Sequence, residues 1–137
     1  MRATAKGLRQ LGGAILRAGG SSAGDADLVA EHLVEANLKG HDTHGIGMIP
    51  TYVRHLRAGL VVPNTPAKVI KDDGPILMFD GNRGYGSAVA GEMMSAAIAR
   101  CRQTGVTVAT LANAHHIGRV GVYGEMATAA GLVSLHF

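Results

Sequence analysis

The chain alternates short apolar stripes with glycine-marked stops. Leu8, Leu11, Ile15 and Leu16 recur at three- and four-residue steps within residues 4–18, the spacing of one helical face. Gly19-Gly20 supply the stop. A second stripe, Leu28, Val29, Leu33, Val34 and Leu38, continues to Lys39. Ser22 or Asp25 is its candidate N-cap, and Gly40 follows its end. "HDTHGIGMI" is too rich in glycine for a helix and reads as a loop. Pro50 suits a first helical turn. Tyr52, Val53 and Leu56 then give a short third helix its apolar stripe, and Gly59 stops it.

Beyond this point the period changes. "VVPNTPAK" reads as a linker-like turn. "AKVIKDD" and "PILMFDG" read as two strands separated by the turn signal Asp73-Gly74, and "GNRGYG" as a second turn. Ser87 to Arg102 is helical in pattern and rich in small residues. Ala88, Ala90, Ala96, Ala97 and Ala99 predict a tightly packed, buried helix. "VTVATLA" predicts a buried strand. "GRVGVYGEMATAA" opens a helix that Gly131 stops, and "LVSLHF" predicts a last strand. The order is three helices and then β-β-α-β-α-β, an α/β fold with some parallel pairing. Residues 1–60 form the helical region and 61–137 the α/β region of one structural unit. Because the chain stops inside an apolar strand, it reads as the front portion of something longer.

Composition narrows the classes. Apolar residues make up 47% and charged residues 17% of the 137 positions, the balance of a globular chain. The net charge of +3 is scattered, and Trp is absent, which argues against a nucleic-acid surface with clustered cations and stacking rings. Cys101 is the lone cysteine, so no intrachain disulfide forms. No stretch reads as a signal peptide or membrane span. The expectation is a soluble cytoplasmic protein.

Three stretches carry candidate chemistry. His115 and His116 lie between a predicted strand and a helix, where α/β proteins place functional side chains. Neighbours in an extended stretch point opposite ways, so one ring can face a cleft while the other packs. A pair of structural histidines fits the same pattern. "GRVGVYG" has the spacing G-x-x-G-x-x-G and lacks the Rossmann fingerprint. A helix starting near Arg119 would still aim N–H groups at an anion, with Arg119 adding a charged contact. Small residues packing a helix on a strand explain the spacing as well. "GHDTHG" holds His41, Asp42 and His44. Together with His116 they form a conceivable metal set, though without the geometry of a helical zinc motif. Alternatively Thr43 and His44 line a polar pocket, or the stretch merely caps turns.

The stretches "ANLKGHDTHGIGMIPTYVRHLRAGLVVPN", "FDGNRGYG" and "NAHHIGRVGVYGEMATAAGLVSLHF" together resemble the malate/L-lactate dehydrogenase family of the second type. This family is non-Rossmann and NAD(P)-dependent. "GHDTHGIGMIP" and "HHIGR" are most similar to its hydroxycarboxylate dehydrogenase B branch. The resemblance implies reversible hydride transfer between NAD or NADP and a 2-hydroxy or 2-oxo acid. His116 would be the proton donor and acceptor. His44, Gly118, Arg119 and Val120 would contact the cofactor, Thr43 and His44 the substrate, and no metal is implied. It also implies a homodimer in the complete enzyme, and no nucleic-acid or membrane partner. Met48 stands where many relatives carry an arginine for the substrate carboxylate, leaving Arg54 as a substitute candidate. Family members are more than twice as long, so the fold is incomplete relative to the family and the isolated chain is expected to be inactive. The rival reading is a truncated, catalytically silent domain that acts through association.

Overall fold

The protein is described by a computed structural model, which covers residues 3–137. Three helices come first: α1 (Ala5–Ala18), α2 (Ala23–Leu38) and α3 (Ile49–Arg57). Thr4 caps α1 by accepting the Gly7 N–H at 3.1 Å, and Ser22 caps α2 by accepting the Asp25 N–H at 3.2 Å. Each cap satisfies a backbone donor that the first turn leaves free. Two 3₁₀ turns, Asp42–His44 and Ile46–Met48, carry the glycine-rich stretch into α3. Pro50 sits in the first turn of α3, where its missing N–H costs nothing.

The sheet has three strands in the order β1 (Lys68–Asp73), β2 (Ile76–Asp80), β3 (Val108–Ala112). β1 and β2 form a hairpin closed at Gly74, whose φ of +52° favours glycine. A register shift lies between Val69 and Lys71. α4 (Gly86–Thr104) crosses over so that β3 pairs parallel to β2, Ile76 opposite Val108 through to Asp80 opposite Ala112. α5 (Gly121–Ala129) follows.

One core cluster joins Leu16, Val29, Leu33, Ile49 and Tyr52 of the helices to Val61 and Tyr85. A second joins Ala90 and Met94 of α4 to Tyr123 and Ala127 of α5. The turn that carries His115 and His116 bridges β3 and α5. Among the described residues no helix is long and apolar enough to cross a membrane.

The α/β class, the three leading helices and the parallel pair agree with the sequence pattern. Four details differ. "LVSLHF" forms no strand, because residues 132–137 find no ladder partner. β3 has a neighbour on one side only, so the strand predicted as buried is partly exposed. α4 is buried through its first half, whereas Ala96 and Ala97 are half-buried and Ala99 is exposed. The last helix starts at Gly121, two residues after Arg119.

Candidate active site

The chain leaving β3 is fastened to the turn after β2. The Gly81 N–H donates to Ala112 O at 2.8 Å, Arg83 N–H to Asn113 O at 2.7 Å and His115 N–H to Gly84 O at 3.1 Å. Asn113, at φ +52°, donates its side-chain amide to Asp80 Oδ2 at 3.0 Å. Asn tolerates this left-handed conformation better than most residues. Gly86, the first residue of α4, lies directly against the carbonyls of His115 and His116. Strand end, turn and helix start thus hold the two histidines from three sides.

The two rings have different neighbours. His115 meets Tyr52 edge-on, with ring centres 4.8 Å apart, and its Nε2 is 2.8 Å from His55 Nδ1. One of these two nitrogens must carry the proton and the other the lone pair. Burial lowers the His115 pKa to about 4, with His55 and His116 adding to the effect. The His116 ring stacks on His44 at 5.3 Å and 24°. Its Nδ1 is 3.1 Å from the Tyr52 hydroxyl. Burial lowers its pKa as well, followed by the neighbouring His44. Both effects disfavour the imidazolium.

Tyr52 stands on α3 with 1% of its surface exposed. Burial, then Tyr123 and Tyr85, push its pKa up, so the phenol stays neutral. Tyr85 stacks on it at 6.0 Å and hydrogen-bonds Ser21 Oγ at 2.8 Å. Asn37 on α2 holds the loop that presents His44. Its side-chain amide donates to Asp42, and its Oδ1 accepts the Ile46 N–H at 2.8 Å. Gly45 sits on the same amide: a Cβ there would lie 2.3 Å from Asn37 Oδ1. Thr43 Oγ1 is 2.9 Å from His44 Nδ1, so the hydroxyl and the ring form one polar unit.

The structure therefore brings His44 and His116 together, with Thr43 bonded to His44. His41 turns away, its Nδ1 2.9 Å from Lys39 O. Asp42 is taken up by Asn37. Among the described residues no three His, Cys, Asp or Glu side chains are arranged to hold a metal ion, which removes the His41, Asp42, His44 and His116 set. Gly118 is buried with φ +75°, and exposed Val120 precedes the first turn of α5. The Arg119 guanidinium donates to both Glu125 oxygens at 2.9 Å, and Lys39 Nζ lies 3.3 Å from the same carboxylate. These cations hold the Glu125 carboxyl below its usual range. Arg119 also borders a cavity of about 120 Å³ with Glu31, His32, Glu35 and Val122. Met48 packs on the helical core, and Arg54 bonds Thr51 at 2.8 Å on the exposed side of α3.

Sequence reasoning missed Tyr52, His55, Tyr85 and Asn37 as site-building residues. Tyr52 and His55 are three apart, hence on one helical face, and that spacing was the available signal. Nothing local marks Asn37 or Tyr85.

The malate/L-lactate dehydrogenase family profile matches residues 3–137. Hydroxycarboxylate dehydrogenase B of Escherichia coli (strain K12) is 47% identical over 124 residues, 90% of this chain and 34% of the relative. An L-lactate dehydrogenase of Cupriavidus necator is 44% identical over 137 residues, 100% of this chain and 39% of the relative. Among solved structures, malate dehydrogenase from Pyrococcus horikoshii OT3 superposes with a TM-score of 0.90 at 30% identity, over 96% of this chain and 38% of that one. Sulfolactate dehydrogenase from Methanocaldococcus jannaschii also gives 0.90, at 32% identity, over 94% and 38%. The chain thus spans between a third and two fifths of the length of these relatives. With its family profile matched end to end across the described residues, the chain belongs to the malate/L-lactate dehydrogenase family.

Proposed function

We propose that this chain is the N-terminal part of a dehydrogenase that interconverts a 2-hydroxy acid and its 2-oxo acid with NAD or NADP. His116 takes the substrate's hydroxyl proton during oxidation and returns it during reduction. The observation that carries this reading is the His116 ring itself: stacked on His44, tied through Nδ1 to a buried phenol and lowered in pKa by burial. A neutral imidazole of this kind is a competent base near neutral pH.

Thr43 and His44 provide polar contacts to the substrate. His44, Gly118 and Val120 border the cofactor, whose nicotinamide supplies the hydride acceptor or donor. The fit is good at the His44 ring and at Gly118, where no side chain intrudes. It is weaker at Arg119, whose charge Glu125 already matches. A homodimer in the cytoplasm completes the proposal.

The test is His116→Ala in the complete enzyme, assayed by oxidation of NADH or NADPH with a panel of 2-oxo acids. The expected loss of turnover is about 100-fold or more. Turnover close to the parent's refutes the assignment. The silent-domain reading draws on the exposed apolar side chains of Val133, Leu135 and Phe137. Concentration-dependent association, with no dehydrogenase activity in any longer form of the protein, would favour it.

A further inference from the structure

We propose that Tyr52 is a positioning residue that fixes the tautomer of His116, so that proton exchange with substrate runs through Nε2. The inference rests on the reading of His116 above and adds which nitrogen acts and what selects it.

A neutral phenol has one hydrogen to give and lone pairs to receive. The Tyr52 hydroxyl has two partners, both on His116: the backbone carbonyl oxygen at 3.4 Å and ring Nδ1 at 3.1 Å. Both contacts are hydrogen bonds only when that proton goes to the carbonyl, which can only accept, and a lone pair meets Nδ1; with the proton on Nδ1 the carbonyl contact is lost. Nδ1 must then carry a hydrogen. In the neutral ring that leaves the lone pair on Nε2, for which the described residues offer no hydrogen-bond partner. In the charged ring the Nδ1–H bond is retained and Nε2 carries the transferable proton. The same arrangement therefore serves both directions. During oxidation the O–H bond of the substrate breaks and an Nε2–H bond forms. During reduction that bond breaks and the proton passes to the substrate oxygen.

The phenol is well placed to hold this role. Tyr52 is 1% exposed, stacked on Tyr85 at 6.0 Å, and edge-on to His115 at 4.8 Å. Its ring is packed on several sides, and its hydroxyl has no described partner outside His116. The titratable groups around His116 are His44 from the 42–48 turns, Tyr52 from α3 and the adjacent His115, itself paired with His55 of α3.

Two measurements on the complete enzyme decide the matter. The first is nitrogen-15 NMR of the histidine rings, with the His116 signals identified by their loss in His116→Gln. At a pH where His116 is neutral, Nδ1 is expected to be protonated and Nε2 unprotonated. The reverse pattern overturns the proposal, whatever the activity. The second is Tyr52→Phe, which keeps the ring and removes the hydroxyl. Turnover should fall about tenfold in both directions, with KM for the 2-oxo acid nearly unchanged. The midpoint of the kcat/KM profile should move down by about one pH unit, because the imidazolium loses its charge-assisted acceptor. A slower enzyme with an unmoved midpoint means that Tyr52 only packs, and the proposal fails. If Tyr52→Phe does not fold, the nitrogen pattern of the parent enzyme alone decides. Full turnover in His116→Ala refutes the proposed function itself. A reversed nitrogen pattern in an enzyme that still needs His116 refutes only the role of Tyr52.

Discussion

Replacing Gly86 by alanine is a severe test of how the histidine turn is held. The residue opens α4, and its backbone abuts the carbonyls of His115 and His116, one on either side of the His116 residue. A Cβ there would lie 2.2 Å from His115 O, 2.4 Å from His116 C and 2.4 Å from His116 O. Relief to ordinary contact needs a displacement of about 1 Å. No side-chain rotation can supply it, since all three atoms are backbone. The turn resists because it is bonded to Gly81, Arg83 and Gly84, and α4 resists because Val89 and Ala90 are buried in the core. Helix propensity pulls the other way, favouring alanine by up to about 1 kcal/mol. Overpacking of this kind costs about 1–3 kcal/mol, so a net loss of about 1–2 kcal/mol is expected. A shift of about 1 Å in His116 should lower turnover by about 100-fold. Urea unfolding and steady-state rates on the complete enzyme read both quantities. Gly91 on the same helix is the control: a Cβ there meets nothing within 4 Å, so Gly91→Ala should be neutral or stabilising. If Gly86→Ala is as stable as Gly91→Ala and turns over within twofold of the parent, the claim that close approach dictates glycine here is wrong.

Two further outcomes follow from other parts of the site. Asn37→Ala should loosen the loop that carries Thr43 and His44, since both ends of its amide are bonded to that loop. The expected cost is about 1–3 kcal/mol in urea unfolding, with a raised KM for the 2-oxo acid. Acid should destabilise the fold through His115. Its pKa is about 4 in the folded chain against an ordinary 6.5. Its contribution is therefore complete above pH 6.5 and is lost as pH falls towards 4. Between those values the unfolded chain binds the extra proton, so stability should fall as the pH drops, by less than the full linkage slope because solvent screens a half-buried ring. Urea midpoints from pH 7 to pH 4 check this, and His115→Phe should flatten the slope.

Local pattern was enough to read the helices, their stops and the hairpin. Ser22, Gly40, Pro50, Gly59 and Asp73-Gly74 each act within a few residues of themselves, so their effect is written in the sequence beside them. The pairing of His116 with His44 was reachable through the family resemblance and through the strand-to-helix setting of His116. Tyr52 was read only as part of an apolar stripe. Its hydroxyl matters because α3 packs beneath a turn 64 residues further on, and periodicity within α3 says nothing of that. Arg119 was read as free to meet an anion. It is engaged because Glu125, six residues later, returns over it from the first turns of α5.

Three segment readings that the structure corrects share a physical origin. Alternation and small-residue content report how a segment is suited to be buried, not what buries it. β3 carries the pattern of a buried strand, yet Val108 is exposed and the strand has an open edge. α4 carries the pattern of a buried helix, yet none of its residues after Met94 is buried. Val133 and Leu135 alternate as a strand should, but a strand exists only when a neighbour accepts and returns its hydrogen bonds. The candidate site differs from these segments in one respect. The contacts that hold His116, from Tyr52, His44, Gly84 and Gly86, all come from within residues 42–116. The geometry of His116, the proposed acid–base residue, is thus internal to this chain. Gly86→Ala should disturb it in any longer form of the enzyme as well.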